Sequence, residues 1–375
     1  MKKLMGAATA ALIAASAAQA DTKIGMITTL SGGGSHLGTD VRDGFMLAME
    51  QAGSDVEVII RDDARKPDVA KSLADELVQK DKVDILTGII WSNLAMAVVP
   101  GVTAGGTFYL SPNAGPSALA GKNCHENYFN VAWQNNNLHE AMGAYMKAEG
   151  IKKPFILAPN YPAGTDALTG FKSRFGDDVA GEIYTKLGQE DYAAEISQIR
   201  ASDADSIFFF LPAGMGIAFT KQYAASGAEL PLYGPAFSFD EIILGAVGDA
   251  ALGVKNSSQW AYDLDNPANA AFVDSFRAKY DRTPTLYASQ GFDTANLILS
   301  ALGKADPSDK DAFRAALKEA DFDSVRGDFA FGNNNHPIQD IYIREVVAGE
   351  GKPTNKLVGV AIEDLQDAYA AECKL

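Results

Sequence analysis

An α/β fold of two doubly wound parallel-sheet lobes is predicted for this 375-residue chain by three observations. Short apolar runs alternate with amphipathic stretches, the β-α-β-α rhythm of parallel sheets covered by helices on both faces. The rhythm stops and then restarts near residue 138, and the chain is too long for one ordinary core. Many glycines follow the apolar runs, where tight strand-to-helix turns are needed.

The first twenty residues read as an address. Met1-Lys2-Lys3 is basic, residues 4–18 are apolar, alanine-rich and uncharged, and Ala18-Gln19-Ala20 is a small-x-small site before Asp21. This is the pattern of a secretory signal peptide, here 1–20. At about 15 residues the apolar run is shorter than the roughly 20 that a spanning helix needs. The competing reading is a buried N-terminal helix. No Cys follows the run to take a lipid, and no later run is long enough to span a membrane. The expectation is a soluble, monomeric, periplasmic chain starting at Asp21.

From there a strand over 23–29 (KIGMITT) meets the glycine-rich loop 31–35. Val41, Phe45, Ala48, Met49 and Ala52 recur at helical spacing over 41–52. Strand 56–61 follows. Asp62, Asp63 and Pro67 make a turn, where the paired acids cap rather than catalyse. Helix 69–80, strand 84–88, helix 94–103 and strand 107–111 (TFYLS) complete the first run. The second comprises helix 138–149, strand 155–158, helix 165–175, strand 179–184, helix 192–201, the fully apolar strand 206–211 (SIFFFL), helix 214–226 and strand 232–233. Helices over 269–280, 286–302 and 310–320 come next, then strands 328–331 and 339–347 and a helical tail over 361–370. Three helices alone cannot rebuild an α/β core, so the chain crosses between lobes more than once, with 263–267 (DLDNP) and 333–337 (NNNHP) as turn-rich crossings. The expected division is 21–136 with 262–332 for lobe 1, and 137–261 with 333–375 for lobe 2. Ligands bind in such inter-lobe clefts.

Composition narrows the function. With 32 basic against 48 acidic residues the net charge is −16, and removing Lys2 and Lys3 with the leader makes the chain more acidic. That charge repels nucleic acid and anionic membranes. The 31–38 loop does not give G-x-G-x-x-G, so no dinucleotide cofactor is expected, although Leu37 and His36 in it are placed to touch a ligand. Neither Gly-x-Ser-x-Gly nor His-Glu-x-x-His is present, which counts against an exported hydrolase. Two Cys and four scattered His lack zinc-ligand spacing. In an oxidising compartment the pair Cys124 and Cys373 reads as a disulfide, the alternative being two buried thiols.

The ordered landmarks KIGMITTLSGGGSHLG, RDDARKP (61–67), DILTGIIWSN (84–93), FYLSPNAGPSAL (108–119), APNYPAG (158–164) and LYGPAF (232–237) together resemble the periplasmic binding proteins of the branched-chain amino acid ABC transporter family. The likeness spans the whole mature chain. The NAGPS, NYPAG and NNNHPIQD stretches and the ECKL ending resemble a branch associated with aromatic acids and other non-amino-acid solutes, and the likeness supports the disulfide. It implies a type I fold with three hinge crossings, no enzymatic activity, and delivery of a small molecule to membrane permease subunits of an ABC importer.

Residue by residue, the resemblance implies that Ser92 hydrogen-bonds a ligand carboxylate, that backbone of Asn113, Ala114 and Gly115 faces the ligand, and that Tyr161 and Tyr287 supply aromatic contacts. Trp91, Trp133, Pro212 and Phe237 complete the expected ligand set with Leu37. Two positions depart from the amino-acid binders. The carboxylate that holds an ammonium after Gly-Pro is here Ala236, followed by Phe237, and the threonine that helps hold the amino acid is here Gly115. A buried ammonium without an anion costs several kcal/mol, and aromatic walls favour a flat ring. The expected ligand is an aromatic carboxylate. Branched-chain amino acids, amide- or urea-like solutes, and a sensory ligand-binding module are the other readings.

Overall fold

The computed structural model describes residues 22–375, so the leader assigned to 1–20 lies outside the described residues. The first part of the chain forms β1 (Lys23–Thr28), α1 (Ser35–Gln51), β2 (Glu57–Asp62), α2 (Pro67–Glu76), β3 (Ile85–Thr87), α3 (Ser92–Ala104), β4 (Phe108–Ser111), α4 (Ser117–Ala120) and β5 (Tyr128–Asn130). There follow α5 (Asn137–Ala148), β6 (Pro154–Pro159), α6 (Pro162–Phe175), β7 (Gly181–Thr185), α7 (Ala193–Ala201), β8 (Ser206–Phe209), α8 (Gly214–Ala225), β9 (Leu232–Pro235), α9 (Glu241–Val247) and β10 (Lys255–Ser258). The chain ends with α10 (Pro267–Tyr280), α11 (Leu286–Leu302), α12 (Lys310–Lys318), β11 (Phe329–Phe331), β12 (Pro337–Val347) and β13 (Thr354–Leu365).

The first sheet runs β2-β1-β3-β4-β5 with every pair parallel. The second repeats that order as β7-β6-β8-β9-β10, again parallel. It is then extended by β12, antiparallel to β10, which also pairs with β11 and β13. In each sheet the strand order reverses at its first strand, so a ligand crevice is expected at the carboxyl ends beside β1 and β6. The two-lobed α/β architecture is therefore as read from the rhythm. The chain leaves the first sheet after β5, returns after β10 and leaves again after α12. β11 pairs with β12, so residues 329–331 stand with the second sheet rather than with segment 262–332.

Local chemistry explains where the elements fall. β4 and β8 are buried along their whole length, as apolar runs without alternation must be. α1 begins at Ser35, a turn and a half before the 41–52 repeat, because Gly34 adopts φ 89° and turns the chain early. A Cβ on Gly34 would lie 2.7 Å from the Trp91 ring, so only glycine lets this loop lie against the indole. The 361–370 segment is not a helix. Up to Leu365 it belongs to β13, whose backbone pairs with β12, and the chain then runs through an irregular turn into a short 3-10 helix at Ala370–Glu372. An available strand edge outweighs the helical propensity of a short segment. β10 escapes a hydrophobicity reading because its sequence, KNSS, is polar. Its side chains are nonetheless buried and bonded: Asn256 Oδ1 accepts from Arg344 at 2.8 Å and Ser257 Oγ donates to Leu138 O at 2.6 Å.

The crossings are fastened by a buried ion pair. Arg326 Nε donates to Asp293 Oδ2 of α11 at 2.9 Å, with both side chains at most 1% exposed. Its Nη1 donates to Ala132 O, in the first crossing, at 3.0 Å and to Gln339 Oε1 of β12 at 2.9 Å. Cys124 and Cys373 are joined, Cα to Cα 5.7 Å, closing a loop with a sequence separation of 249. The bond ties the tail behind β13 to the loop after α4. Reduction is expected to lower stability by up to about 5 kcal/mol in the chain-entropy account. Urea unfolding with and without reductant checks this, and coincident curves would show that the bond contributes nothing. No helix among the described residues is long and apolar enough to cross a membrane.

Candidate functional site

The crevice expected from topology is present, and residues at strand ends build it. Leu37 follows β1, Ile90, Trp91 and Ser92 follow β3, Asn113 and Ala114 follow β4, and Trp133 follows β5. From the second lobe come Tyr161 and Ala163 after β6, Phe210 and Pro212 after β8, and Phe237 after β9. Asn135 and His139 enter from the first crossing and the start of α5, and Tyr287 from the start of α11. The lobes meet over a small cavity that these residues line.

The walls are aromatic. Trp133 and Phe237 lie 4.8 Å apart between centroids, and Tyr161 stacks on Phe210 at 6.2 Å and 16°. The Trp91 Nε1 donates to Thr29 Oγ1 at 3.1 Å, and the Arg65 guanidinium lies 4.1 Å over its ring on the outer side. That cation belongs to the loop where Asp62 and Asp63 accept from the amides of Ala64 and Arg65, so both acids shape a turn.

The polar part is compact. Ser92 Oγ accepts from Asn135 Nδ2 at 3.1 Å, which leaves the hydroxyl proton free to donate. Ser92 opens α3, whose cap residue Trp91 offers no side-chain bond, so the first amides of this helix still require an acceptor. Asn113 Nδ2 is used by Ile90 O at 2.7 Å, while its Oδ1 is buried without a partner. Asn135 Nδ2 also reaches Asp166 Oδ2 of α6 at 2.9 Å, and that carboxylate accepts from Ser117 N and Oγ of the first lobe at 3.0 and 2.7 Å. A continuous chain of hydrogen bonds thus runs from Ser92 to a contact that exists only with the lobes together.

Among the described residues, no Asp, Glu, Lys or Arg lines the cavity. His139 does not fill that gap, since burial holds its pKa down to about 3 and the ring is neutral. Asp166 touches the lining only through Asn135, and Asp240 lies off it. Asp240, the cap of α9, accepts from Leu286 N across the lobes at 3.1 Å and is pushed up to about 7, burial outweighing the Arg344 charge. An unfolded Asp titrates near 4. Between about pH 4 and 7 the folded chain therefore holds a proton that the unfolded chain has lost, and stability falls as pH rises through that window. Asp240→Asn is expected to flatten this slope in urea midpoints measured from pH 4 to 8; an unaltered slope would mean Asp240 ionises freely.

The structure brings together Leu37, Trp91, Ser92, Asn113, Ala114, Trp133, Tyr161, Pro212, Phe237 and Tyr287. Gly115 is the correction. It does not line the cavity, its amide is used by Asn135 Oδ1 at 3.2 Å, and a Cβ would fall 2.0 Å from Trp133 O. Its role is to let two crossing segments touch. Ala236 is fully buried beside Phe237 and also off the lining. His36 sits on the outer groove with Arg65 rather than in the cavity. Sequence reasoning missed Asn135 and His139. Both belong to a polar run, QNNNLHE, whose position in a crossing was the one signal that they face the cleft.

Two doubly wound lobes that meet over a cavity at their strand ends define a ligand trap. The pattern of the periplasmic binding protein family matches residues 21–352. A Leu/Ile/Val-binding protein homolog from Brucella melitensis is 31% identical, covering 95% of this chain and 96% of that protein. A solute-binding protein of an ABC transporter from R. palustris, solved with benzoate, is 31% identical with TM-score 0.89 over 95% of this chain and 100% of that one. A solute-binding protein from Rhodopseudomonas palustris BisB5, solved with 3,4-dihydroxybenzoic acid, is 30% identical with TM-score 0.84, covering 92% and 98%. The chain belongs to the periplasmic binding protein family: it is a substrate-binding protein of an ABC importer, which binds a small solute and works with a membrane permease, and it is not an enzyme.

Proposed function

We propose that the solute is a small aromatic carboxylate, with the ring against Trp133, Phe237 and Tyr161 and the carboxylate at Ser92 and the α3 amides. The observation that carries this is the combination of aromatic walls with a helix N-terminus and a free serine proton, and no acid on the lining. A helix N-terminus with a hydroxyl can hold a carboxylate without Arg. An amino acid would bury its ammonium against aromatic rings and a neutral histidine, at a cost of several kcal/mol. The names of the Brucella relatives favour a branched-chain amino acid instead, but nothing on this lining replaces the missing acid. The benzoate- and dihydroxybenzoate-bound proteins support the aromatic reading.

A thermal-shift screen over amino acids, aromatic acids, amides and urea-like solutes tests it. A ligand at 100 times its dissociation constant adds about 2.7 kcal/mol. Stabilisation by benzoate- or cinnamate-like acids and none by leucine is expected; the reverse would reject the proposal.

A further inference from the structure

Resting on the aromatic-carboxylate reading, we infer that His139 is a specificity residue that selects an aromatic acid carrying a ring hydroxyl over the unsubstituted acid. His139 lines the cavity, is 1% exposed, and its Nδ1 is buried with no hydrogen-bond partner. A ring histidine packed into protein ordinarily has one nitrogen bonded to a carbonyl or carboxylate. Here its neighbours are rings, with Phe210 at 5.0 Å, Phe208 at 5.9 Å and Phe237 at 6.1 Å. An apolar residue of the same shape would cost nothing at this place, whereas an unpaired imidazole carries a penalty until something bonds it. Nothing among the described residues does so, and His139 lines the cavity, the space from which a partner can come.

The chemistry of that partner follows. The ring is neutral, so it offers no charge for the ligand's carboxylate, which Ser92 and the α3 amides serve. A neutral imidazole has one donor and one acceptor nitrogen, which suits a hydroxyl, itself donor and acceptor. The hydroxyl would sit among Phe210 and Phe237, where an unmet polar group is expensive and a met one is selective.

Calorimetric titration of the wild-type chain with benzoate, 3-hydroxybenzoate and 4-hydroxybenzoate is the test. At least one hydroxylated acid should bind about tenfold or more tightly than benzoate. In His139→Phe that ratio should collapse to about twofold or less, and in His139→Gln, which keeps a hydrogen-bonding amide, part of it should return. On the wild type, the imidazole nitrogen shifts of His139 in 15N NMR should move on adding the hydroxylated acid and stay near their free values with benzoate. Benzoate binding with no preference for either hydroxy acid, or a preference that survives in His139→Phe, would overturn the inference and leave the aromatic-carboxylate reading standing. If none of the three acids bound the wild type, both would fall.

Discussion

Ser92→Ala should weaken aromatic-carboxylate binding by about 1.5–3 kcal/mol, roughly 10- to 150-fold, the range for a hydrogen bond to a charged group. The hydroxyl is buried, its lone pair already engages Asn135, and its proton has no other use. The change also removes the acceptor for Asn135 Nδ2, which still keeps Asp166. Because Asp166 bonds Ser117 across the lobes, loss of Ser92 should act on closure as well as on contact. Calorimetry gives the affinity directly. A loss of less than twofold, in a variant with unchanged unfolding, would place the carboxylate elsewhere.

Asp293→Ala should cost about 3–5 kcal/mol of folding stability, because it leaves the Arg326 guanidinium buried without its counter-charge. Both side chains are at most 1% exposed, and Arg326 also bonds Ala132 O and Gln339, so the damage falls where the first and third crossings meet. Urea unfolding measures it, and a shift below about 1 kcal/mol would mean that the hinge relaxes around the charge. The converse design, Asp293→Leu with Arg326→Leu, should recover much of the loss, as apolar replacement of buried pairs often does.

Much of this molecule was legible as periodicity. Parallel strands buried on both faces leave uninterrupted apolar runs such as 206–211, and strand-end loops carry the aromatic and small residues that face a cleft. Trp91, Ser92, Asn113 and Tyr161 all line the crevice at those strand ends. What was illegible was set by tertiary partners. β10 is polar because Arg344 and Asn355 satisfy Asn256 inside the second lobe. The 361–365 stretch pairs with β12 because an edge was open, and no local signal in AIEDL announces that. The family resemblance put Gly115 at the ligand, yet its requirement is a backbone crossing with Trp133. His139 lay in a helix whose burial could be inferred, but its missing partner becomes visible only with the phenylalanines in place.

On the proposed reading, the cleft takes a ring and a carboxylate and offers no counter-ion to an amine. Phenylacetate and phenylglycine differ by one ammonium group at the carbon that joins ring and carboxylate. Titration of both into the purified chain by calorimetry should give saturable binding of phenylacetate and at least a hundredfold weaker, or undetectable, binding of phenylglycine, as a buried unpaired ammonium demands. Equal affinities, or tighter binding of phenylglycine, would contradict it.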